Sequence, residues 1–377
     1  MSELRVAVVH DWLVRNDGSV KVLAEILRCF PQADLFTLVD FLDRQTRLLI
    51  GGRQTITSFL QGMPGIQRSL WYYVPLMPLA IEQLDVRAYD LVISSSSNVA
   101  KGILVGPDQV HVSYVHSPMR FVWDLQHYYL GRFGWNYGIK RWAASAAFHY
   151  LRQWDAATTN GVDRLLAPSA FVARRILKTY RRAASVVYPP VDVDRFSLQE
   201  KKDEVYFTTA YFNPFKNVDL VVRVFARLPH LQLVVGGDGP DRDRIAASGG
   251  ANITFLGQLS DADVCMWMRR AKAFVYAAPE DFGIVLAEAQ SSGTPVIALG
   301  VGGAREIVAD ISAAHPTGIL YPEATQAALL EAVQRFERDS SSFSPHACRT
   351  NAMRFNATTF RRRFCDEVSI AMKYQRS

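Results

Sequence analysis

Apolar and polar positions follow two patterns along the first half of the chain, one typical of buried strands and one typical of amphipathic helices. Short apolar runs bounded by turn residues, at 5–9, 34–39, 90–94, 110–115 and 164–167, predict buried strands. Longer stretches at 20–30, 140–155 and 170–180 repeat apolar residues at helical spacing and predict amphipathic helices. Strands and helices that alternate in this way indicate βαβ units around a parallel sheet.

A proline-rich connection separates this pattern from a second one. Pro189 and Pro190 lie in the run VVYPPVDVDRF, and adjacent prolines stiffen an extended chain and stop a helix. The alternation then restarts, with strands predicted at 205–209, 231–236, 253–256, 273–276, 295–299 and 318–321. We therefore expect an α/β chain with two doubly wound domains, residues 1–188 and 189–350. A C-terminal helix within residues 351–377 is expected to pack back toward the first domain.

Composition and charge narrow the class of protein. The 377 residues are 49% hydrophobic and 21% charged, which excludes a disordered or fibrous chain. The net charge of +6 favours anionic partners, but the basic residues are spread along the chain, so nucleic acid is not expected as a partner. Four well-separated cysteines, no run of eighteen apolar residues and no signal-peptide pattern predict a cytoplasmic chain with free thiols.

The most informative stretch is YAAPEDFGIVLAEAQSSGTPVIALGVGG, residues 276–303. A strand is predicted to end near Ala277, and a helix to begin at about Ile284. The unpaired N–H groups of a helix N-terminus suit a phosphate, and Gly283 would let a ligand approach the backbone. Glu288 would then accept hydrogen bonds from ribose hydroxyls, and Glu280 would hold sugar hydroxyls. Spacing alone favours a simpler interpretation, in which both acids are only solvated side chains near a helix start.

The whole string resembles the E-x7-E signature of glycosyltransferase family 4, with its GTPVI continuation at residues 293–297. The similarity extends to HDWL at 10–13, GGDGP at 236–240 and FLGQLSD at 255–261. It implies a retaining enzyme of the GT-B fold, in which two Rossmann-like domains face a central cleft. HSPMRFVWD at 116–124 and SSSSNVAKG at 94–102 further resemble the WbaZ-like bacterial mannosyltransferases, which build surface polysaccharide repeat units.

The resemblance implies a set of site residues. Catalytic roles fall to Glu280, Lys216 and His116, and the acceptor or phosphate candidates are His10 and Arg120. The family usually carries an arginine where this chain has Tyr211, so Lys216 is expected to carry more of the charge stabilisation. The donor-binding candidates are Gly18, Ser19, Lys216, Asp238, Leu259, Phe282, Gly283, Ile284, Val285 and Glu288.

No metal is expected in the reaction. A D-x-D tripeptide at residues 192–194 is of the kind that holds a metal in the GT-A fold, but it lies in the connection between the domains. The same pattern recurs at 241–243 and 261–263, so it carries little information.

Two stretches, 68–79 and 140–154, mix basic and aromatic residues. They are typical of a peripheral contact with an anionic membrane, and an ordinary core helix with a solvated face explains them equally well.

The resulting expectation is transfer of a hexose, with mannose from GDP-mannose favoured, to a polyprenyl-diphosphate-linked saccharide. The anomeric configuration would be retained, and the enzyme would lie on the inner face of the cell membrane. Two alternatives stay open at this point: a sugar-nucleotide-modifying enzyme of the same fold, such as an epimerase, and a non-catalytic nucleotide-sugar binder.

Overall fold

A computed structural model describes residues 4–15, 17–132, 134 and 137–374, and the chain divides into two compact units. Unit 1 contains residues 1–190 and 360–377, and unit 2 contains residues 191–359. The boundary lies beside Pro189 and Pro190, and the segment from 351 to 359 belongs to unit 2. Among the described residues, no helix combines the length and the apolar character that a bilayer span requires.

Unit 1 is built on a parallel sheet of seven strands in the order β3-β2-β1-β4-β5-β6-β7. The chain adds strands to one side of β1 first and then to the other side, starting with β4. At this switch point between β1 and β4, His10 lies opposite Ser95. The strands are β1 (Val6–His10), β2 (Asp34–Thr37), β3 (Thr55–Thr57), β4 (Leu91–Ser96), β5 (Val110–Val115), β6 (Arg164–Ala167) and β7 (Ser185–Val186).

Helices cover both faces of this sheet, which is why β1 is buried along its whole length. Val8 packs in one core with Phe360 and Phe364, whereas its neighbour Val9 packs in the other with Phe148. The helices are α1 (Gly18–Cys29), α2 (Arg44–Leu49), α3 (Met77–Glu82), α4 (Gln126–Arg132), α5 (Gly138–Ala157), α6 (Ala170–Tyr180) and, at the C-terminus, α14 (Ala357–Tyr374).

Unit 2 repeats the architecture with six parallel strands in the order β10-β9-β8-β11-β12-β13. The strands are β8 (Asp203–Thr209), β9 (Gln232–Gly236), β10 (Ile253–Gly257), β11 (Ala271–Tyr276), β12 (Val296–Leu299) and β13 (Gly318–Tyr321). The helices are α7 (Val218–Ala226), α8 (Arg242–Ala246), α9 (Asp261–Arg270), α10 (Ile284–Ser291), α11 (Ala304–Ile307), α12 (Gln326–Arg338) and α13 (Pro345–Ala352).

The expected α/β fold of two Rossmann-like units is confirmed, with local differences. The C-terminal helix predicted within residues 351–377 is broken by a 3₁₀ turn at Met353–Phe355, and Asn356 restarts the helix by accepting the Thr359 N–H at 2.7 Å. The stretch 68–79 contains a 3₁₀ helix, Leu70–Leu76, with Pro75 inside it.

Candidate active site

The strand order of unit 2 creates a switch point between β8 and β11. Successive strands proceed from β8 in one direction and from β11 in the other, so the loops after these two strands diverge. Ligands of open α/β sheets bind in the crevice that such divergent loops leave. The β8 loop carries Lys216 and the β11 loop carries Glu280, so the topology brings together two residues that are 64 positions apart.

Lys216, Glu280 and Tyr276 form one polar cluster at this point. The Lys216 ammonium and the Tyr276 hydroxyl both donate to Oε1 of Glu280, and Lys216 Nζ lies 3.2 Å from the Tyr276 hydroxyl. Burial and the Glu280 charge raise the pKa of Tyr276 well above its usual value, so its hydroxyl stays protonated. The lysine and the carboxylate are about a quarter exposed, which leaves both accessible to a ligand.

Two asparagines fix the conformation of the β8 loop that carries Lys216. Asn213 caps the short 3₁₀ helix Pro214–Lys216, because its side chain accepts the N–H groups of Phe215 and Lys216 at 3.1 Å. Asn217 adopts a left-handed conformation with φ 50° and donates its amide to the Ala277 carbonyl at 3.0 Å. Tyr211, where the family usually has arginine, is 59% exposed at the start of the same loop.

Two glycines after β12 hold the Glu280 loop in place. The Gly303 N–H donates to the Glu280 carbonyl at 2.9 Å, and Glu280 forms an isolated bridge with Gly302. A Cβ added at Gly302 would lie 2.0 Å from the Glu280 carbonyl oxygen, and one at Gly303 would lie 2.1 Å from that of Phe282. Only glycine allows these two loops to pack so closely.

Gly283 ends the loop with φ 98° and is the N-cap of α10. The N–H groups of Gly283, Ile284 and Val285 begin the helix, and the first N–H groups of a helix have no partner within it. The first turn carries no acidic side chain, so no carboxylate within that turn offsets the positive end of the helix dipole. Phe282 is buried and packs edge-on against Phe355, with ring centroids 5.3 Å apart.

Glu288 lies on α10 and is only 8% exposed. Its Oε1 lies 3.7 Å from an Arg195 guanidinium nitrogen, and the same guanidinium donates to Asp261 at 2.7 Å. Arg195, Asp261 and Cys265 line a cavity of about 410 Å³. The predicted ribose anchor is therefore held by a cation that sits beside a cavity.

The loops after β9 and β10 carry two more of the predicted donor-binding residues, Asp238 and Leu259. Asp238 accepts the Phe212 N–H at its carbonyl, at 2.9 Å, and its carboxylate lies 4.0 Å from Arg242. The Leu259 side chain lies over Gly236, where an added Cβ would come within 2.5 Å of it. Both residues border the carboxyl end of β9, on the same edge of the sheet as Lys216.

Unit 1 has its own polar cluster at its switch point. Ser95 Oγ lies 3.1 Å from Nδ1 of His10 and 2.9 Å from Nε2 of His116, so one hydroxyl joins the two imidazoles. Burial lowers the pKa of both histidines, and the nearby His10 contributes to lowering that of His116 to about 3. Both rings are neutral at physiological pH.

The loop beside this cluster is fixed by Asp11. Its carboxylate accepts four successive backbone N–H groups, from Ser97 to Ala100, at 2.5 to 2.9 Å. Asp11 is 3% exposed, so these bonds replace its hydration. The next residue, Lys101, is 1% exposed and pairs with the equally buried Asp155 at 2.7 Å.

The other candidates in unit 1 have partners within the chain. Asp17 is the N-cap of α1 and accepts the Ser19 N–H at 2.9 Å and the Ser19 hydroxyl at 2.6 Å. A phosphate at Gly18 and Ser19 would therefore compete with the Asp17 carboxylate. Arg120 lies 3.5 Å from Asp124, which also binds Arg175 at 2.9 Å.

Sequence reasoning did not assign roles to Tyr276, Arg195, Asp11 or Ser95. Tyr276 is the last residue of its strand, four positions before Glu280, and this position was the available signal. Ser95 stands inside a string that carried the family resemblance, and Arg195 stands in the proline-rich connection between the domains. Asp11 adjoins His10, but its loop partners lie 86 to 89 positions away, and no local pattern indicates them.

Two family models account for most of the chain. The model of "Glycosyltransferase Family 4" matches residues 16–195, and that of "Glycosyl transferases group 1" matches residues 191–355. The chain belongs to the GT4 glycosyltransferases.

Two curated relatives carry mannosyltransferase or glycosyltransferase names. A phosphatidyl-myo-inositol mannosyltransferase of Mycobacterium tuberculosis is 35% identical over 159 residues, 37% of this chain and 41% of the relative. A D-inositol 3-phosphate glycosyltransferase of Mycobacterium bovis is 28% identical over 244 residues, 52% of this chain and 50% of the relative. The chain thus spans half or less of the length of these relatives.

Solved structures share the fold over nearly the full chain. The Anabaena protein HepE in complex with UDP superposes with a TM-score of 0.70 at 16% identity, over 97% of this chain and 100% of that one. A sucrose-phosphate synthase from Thermosynechococcus elongatus gives a TM-score of 0.72 at 18% identity, over 99% and 100%. These structural neighbours show the GT-B architecture of two Rossmann-like domains.

Proposed function

We propose that this GT4 chain transfers a hexose from a nucleotide sugar to a lipid-diphosphate-linked saccharide, with retention of configuration. Mannose from GDP-mannose is the donor we propose, and assembly of a bacterial surface polysaccharide is the process. The enzyme would work on the inner face of the cell membrane as a peripheral protein. The observation that carries the proposal is the cluster of Lys216, Glu280 and Tyr276 beside the N-terminus of α10.

This cluster suits the charges of glycosyl transfer. As the bond between sugar and diphosphate breaks, negative charge grows on the leaving oxygens and positive charge on the sugar ring. Lys216 and the N–H groups at the start of α10 are proposed to stabilise the negative charge on the leaving oxygens. The Glu280 carboxylate is proposed to hold the hexose hydroxyls and to oppose the second charge. Lys216 now pairs with Glu280, so donor binding would exchange this ion pair for two separate contacts with the ligand.

The nucleoside is assigned to the Glu288 side of the same unit. Buried Glu288 is proposed to accept the ribose hydroxyls, with Arg195 holding its carboxylate in position. Asp238 and Leu259, at the end of β9, would border the base and diphosphate. No residue of this set requires a metal, and we propose that transfer is metal-independent.

Unit 1 is proposed to provide the neutral imidazoles of His10 and His116 and the charged guanidinium of Arg120. His116 would contact the hexose, and His10 or Arg120 the acceptor. Because both histidines stay neutral and share Ser95 as a partner, they can donate to or accept from sugar hydroxyls without adding charge. Gly18 and Ser19 would contact the donor only if the Asp17 carboxylate is displaced.

The choice of mannose rests on the relatives. The Mycobacterium tuberculosis relative carries a mannosyltransferase name, and its named acceptor is a lipid. The Anabaena structures contain UDP and UDP-glucose, so the fold alone does not distinguish the base or the sugar. The proposal therefore needs a direct test of donor choice.

The test is a transfer assay with a panel of nucleotide sugars, with and without a polyprenyl-diphosphate-linked saccharide. We expect acceptor-dependent release of GDP from GDP-mannose, and no loss of rate in EDTA. Acceptor-free isomerisation of the sugar nucleotide would instead indicate an epimerase. Tight donor binding without turnover on any acceptor would indicate a binding protein. Either result contradicts the proposal.

A further inference from the structure

Unit 1 contains a cavity of about 580 Å³ that none of the proposed donor contacts uses. It lies between the segment 69–75 and the long helix α5, and its volume falls within the roughly 300–1,000 Å³ of typical small-molecule sites. Its lining is mainly apolar and aromatic. Phe148 and Leu151 are buried in the underlying core, and Trp71, Phe121 and Tyr129 contribute aromatic rings.

Aromatic rings pack against one another on one side of the cavity. Trp71 packs edge-on against Phe121 with ring centroids 5.5 Å apart, and lies 5.6 Å from Tyr129. On the opposite side, α5 presents Ala143 and Ala147, one helical turn apart, so small side chains leave room where larger ones would fill the space. The result is a slot with an aromatic wall and an alanine wall.

Large apolar side chains surround the slot in the same unit. Tyr72 lines it and is 76% exposed, and on α5 the neighbouring Ile139 and Trp142 are 85% and 79% exposed. Apolar surface gathered in this way marks an interaction site for an apolar partner. A flat membrane contact accounts for the exposed residues, but it does not fill a cavity that extends down to Leu151.

Lys140 supplies the one charged side chain in the lining. It is exposed, and within the described part of the chain it forms no ion pair. A ligand that fits here therefore combines a hydrocarbon body with an anionic group near its end. Phosphate on a lipid chain has this character, and a lysine near it is worth several-fold in affinity.

We infer that this slot holds the polyprenyl chain of the acceptor, with Lys140 beside its phosphate. The inference rests on the proposed function, because it takes its acceptor class from there. It adds a binding site for the chain itself, so that the enzyme would select a long isoprenoid acceptor from among the bulk lipids. The aromatic wall would contact the branched hydrocarbon, and the alanine wall would admit it.

The experiment measures binding of the full chain to vesicles in the absence of any nucleotide sugar. One set contains phosphatidylcholine with a few per cent of polyprenyl phosphate, and the other carries equal charge as phosphatidylglycerol. We expect binding at least about tenfold tighter to the first set. Ala147→Phe, which fills the slot, should remove this preference, and Lys140→Gln should weaken binding about fivefold. Ala146→Phe, on the same helix but outside the lining, is the matched control and should bind like the unmodified chain.

A transfer assay then separates this inference from the proposed function. Ala147→Phe should raise KM for a long-chain acceptor about tenfold and leave a short-chain acceptor unaffected. Ala143→Trp, at an exposed lining position, is a second blocking variant should Ala147→Phe fail to fold. Equal binding to both vesicle sets, or an unchanged preference in a folded blocking variant, would overturn the slot. Selective binding that Ala147→Phe abolishes, without transfer to any acceptor, would support the slot and refute the transferase.

Discussion

The two sheets place chemically opposite clusters at equivalent positions. At the switch point of unit 1, His10, Ser95 and His116 form a neutral chain of hydrogen bonds. At that of unit 2, Lys216 and Glu280 are joined as ions, and a helix N-terminus lies beside them. In the proposed function, the same topology would serve uncharged hydroxyl groups in one unit and a developing diphosphate charge in the other. The difference between the two clusters lies in their side chains, because the two units share the same backbone architecture.

The two clusters are also held in place by different means. In unit 1, the buried Asp11 carboxylate binds four backbone N–H groups of one loop. In unit 2, Gly302 and Gly303 permit two loops to touch through their backbones. The Asp11 contact therefore depends on the carboxylate group, whereas the contact at Gly302 and Gly303 depends on the absence of a side chain.

The largest expected effect concerns the charged cluster of unit 2. Lys216→Gln should lower kcat by about 10²- to 10³-fold, because it removes a preorganised cation from the leaving diphosphate. The Kd of the nucleotide sugar should change much less. Steady-state kinetics together with calorimetric titration of the donor separate the two quantities. Lys201→Gln, an exposed lysine of the same unit, is the control, and a kcat within threefold of normal for Lys216→Gln would refute the role.

The next effect tests the glycine contact. Gly303→Ala should destabilise unit 2 by about 2 kcal/mol, because its methyl group collides with the Phe282 carbonyl and neither backbone can yield freely. Denaturant unfolding measures the loss. Gly161→Ala in unit 1 places a methyl group where nothing lies within 4 Å, and it should be close to neutral. Equal stability of the two variants would show that the loops are not locked together.

A third effect separates the units by their response to acid. His111 and His116 have their pKa values lowered to about 4 and about 3, chiefly by burial, whereas His230, His315 and His346 of unit 2 are exposed. Below pH 6.5 the unfolded chain takes up protons that the folded unit 1 rejects, so its stability falls as pH falls. The decline should approach about 1.4 kcal/mol per pH unit for each of the two imidazoles until their folded pKa values are reached.

Hydrogen exchange followed by mass spectrometry checks this difference, with peptides from β5 and β11 reporting on the two units. After correction for intrinsic exchange rates, protection in β5 should decline more steeply between pH 6.5 and pH 5. Parallel declines in both peptides would contradict the assignment of neutral, buried histidines to unit 1 alone.

The smallest expected effect tests the assignment of Glu288 to the ribose. Glu288→Ala should raise the Kd of GDP about tenfold, because it removes hydrogen bonds to the ribose that are worth about 1 to 1.5 kcal/mol. Binding of inorganic pyrophosphate, which has no ribose, should stay the same. Titration calorimetry with both ligands provides the comparison. An equal loss for GDP and pyrophosphate would mean that Glu288 acts on the phosphates, or only through Arg195.

Local patterns were enough to predict the repeating architecture. The strand at Val110–Val115 and the helix at Ala170–Tyr180 match their predicted bounds because apolar runs and turn residues mark both ends. The loop and helix that carry Glu280 and Glu288 also lie where the spacing indicated. Short elements such as β3, Thr55–Thr57, were not predicted, since three residues give no period to detect.

Contacts between distant residues were beyond such reasoning. Arg195 lies near Glu288, 93 positions away, and Lys216 donates to Glu280, 64 positions away, because the fold brings these distant segments together. The pairing of Lys216 with Glu280, rather than with separate ligand groups, follows from this geometry. The break between α13 and α14 depends on a single cap at Asn356, which a helical period running past it conceals.

A crystal structure of the protein with GDP-mannose is the most direct test of the central claim. It should show the diphosphate within hydrogen-bonding distance of Lys216 Nζ and the N–H groups of Gly283, Ile284 and Val285. Glu280 should have left Lys216 and should hold the hexose hydroxyls. A bound donor elsewhere, with Lys216 and Glu280 still paired, would contradict the account.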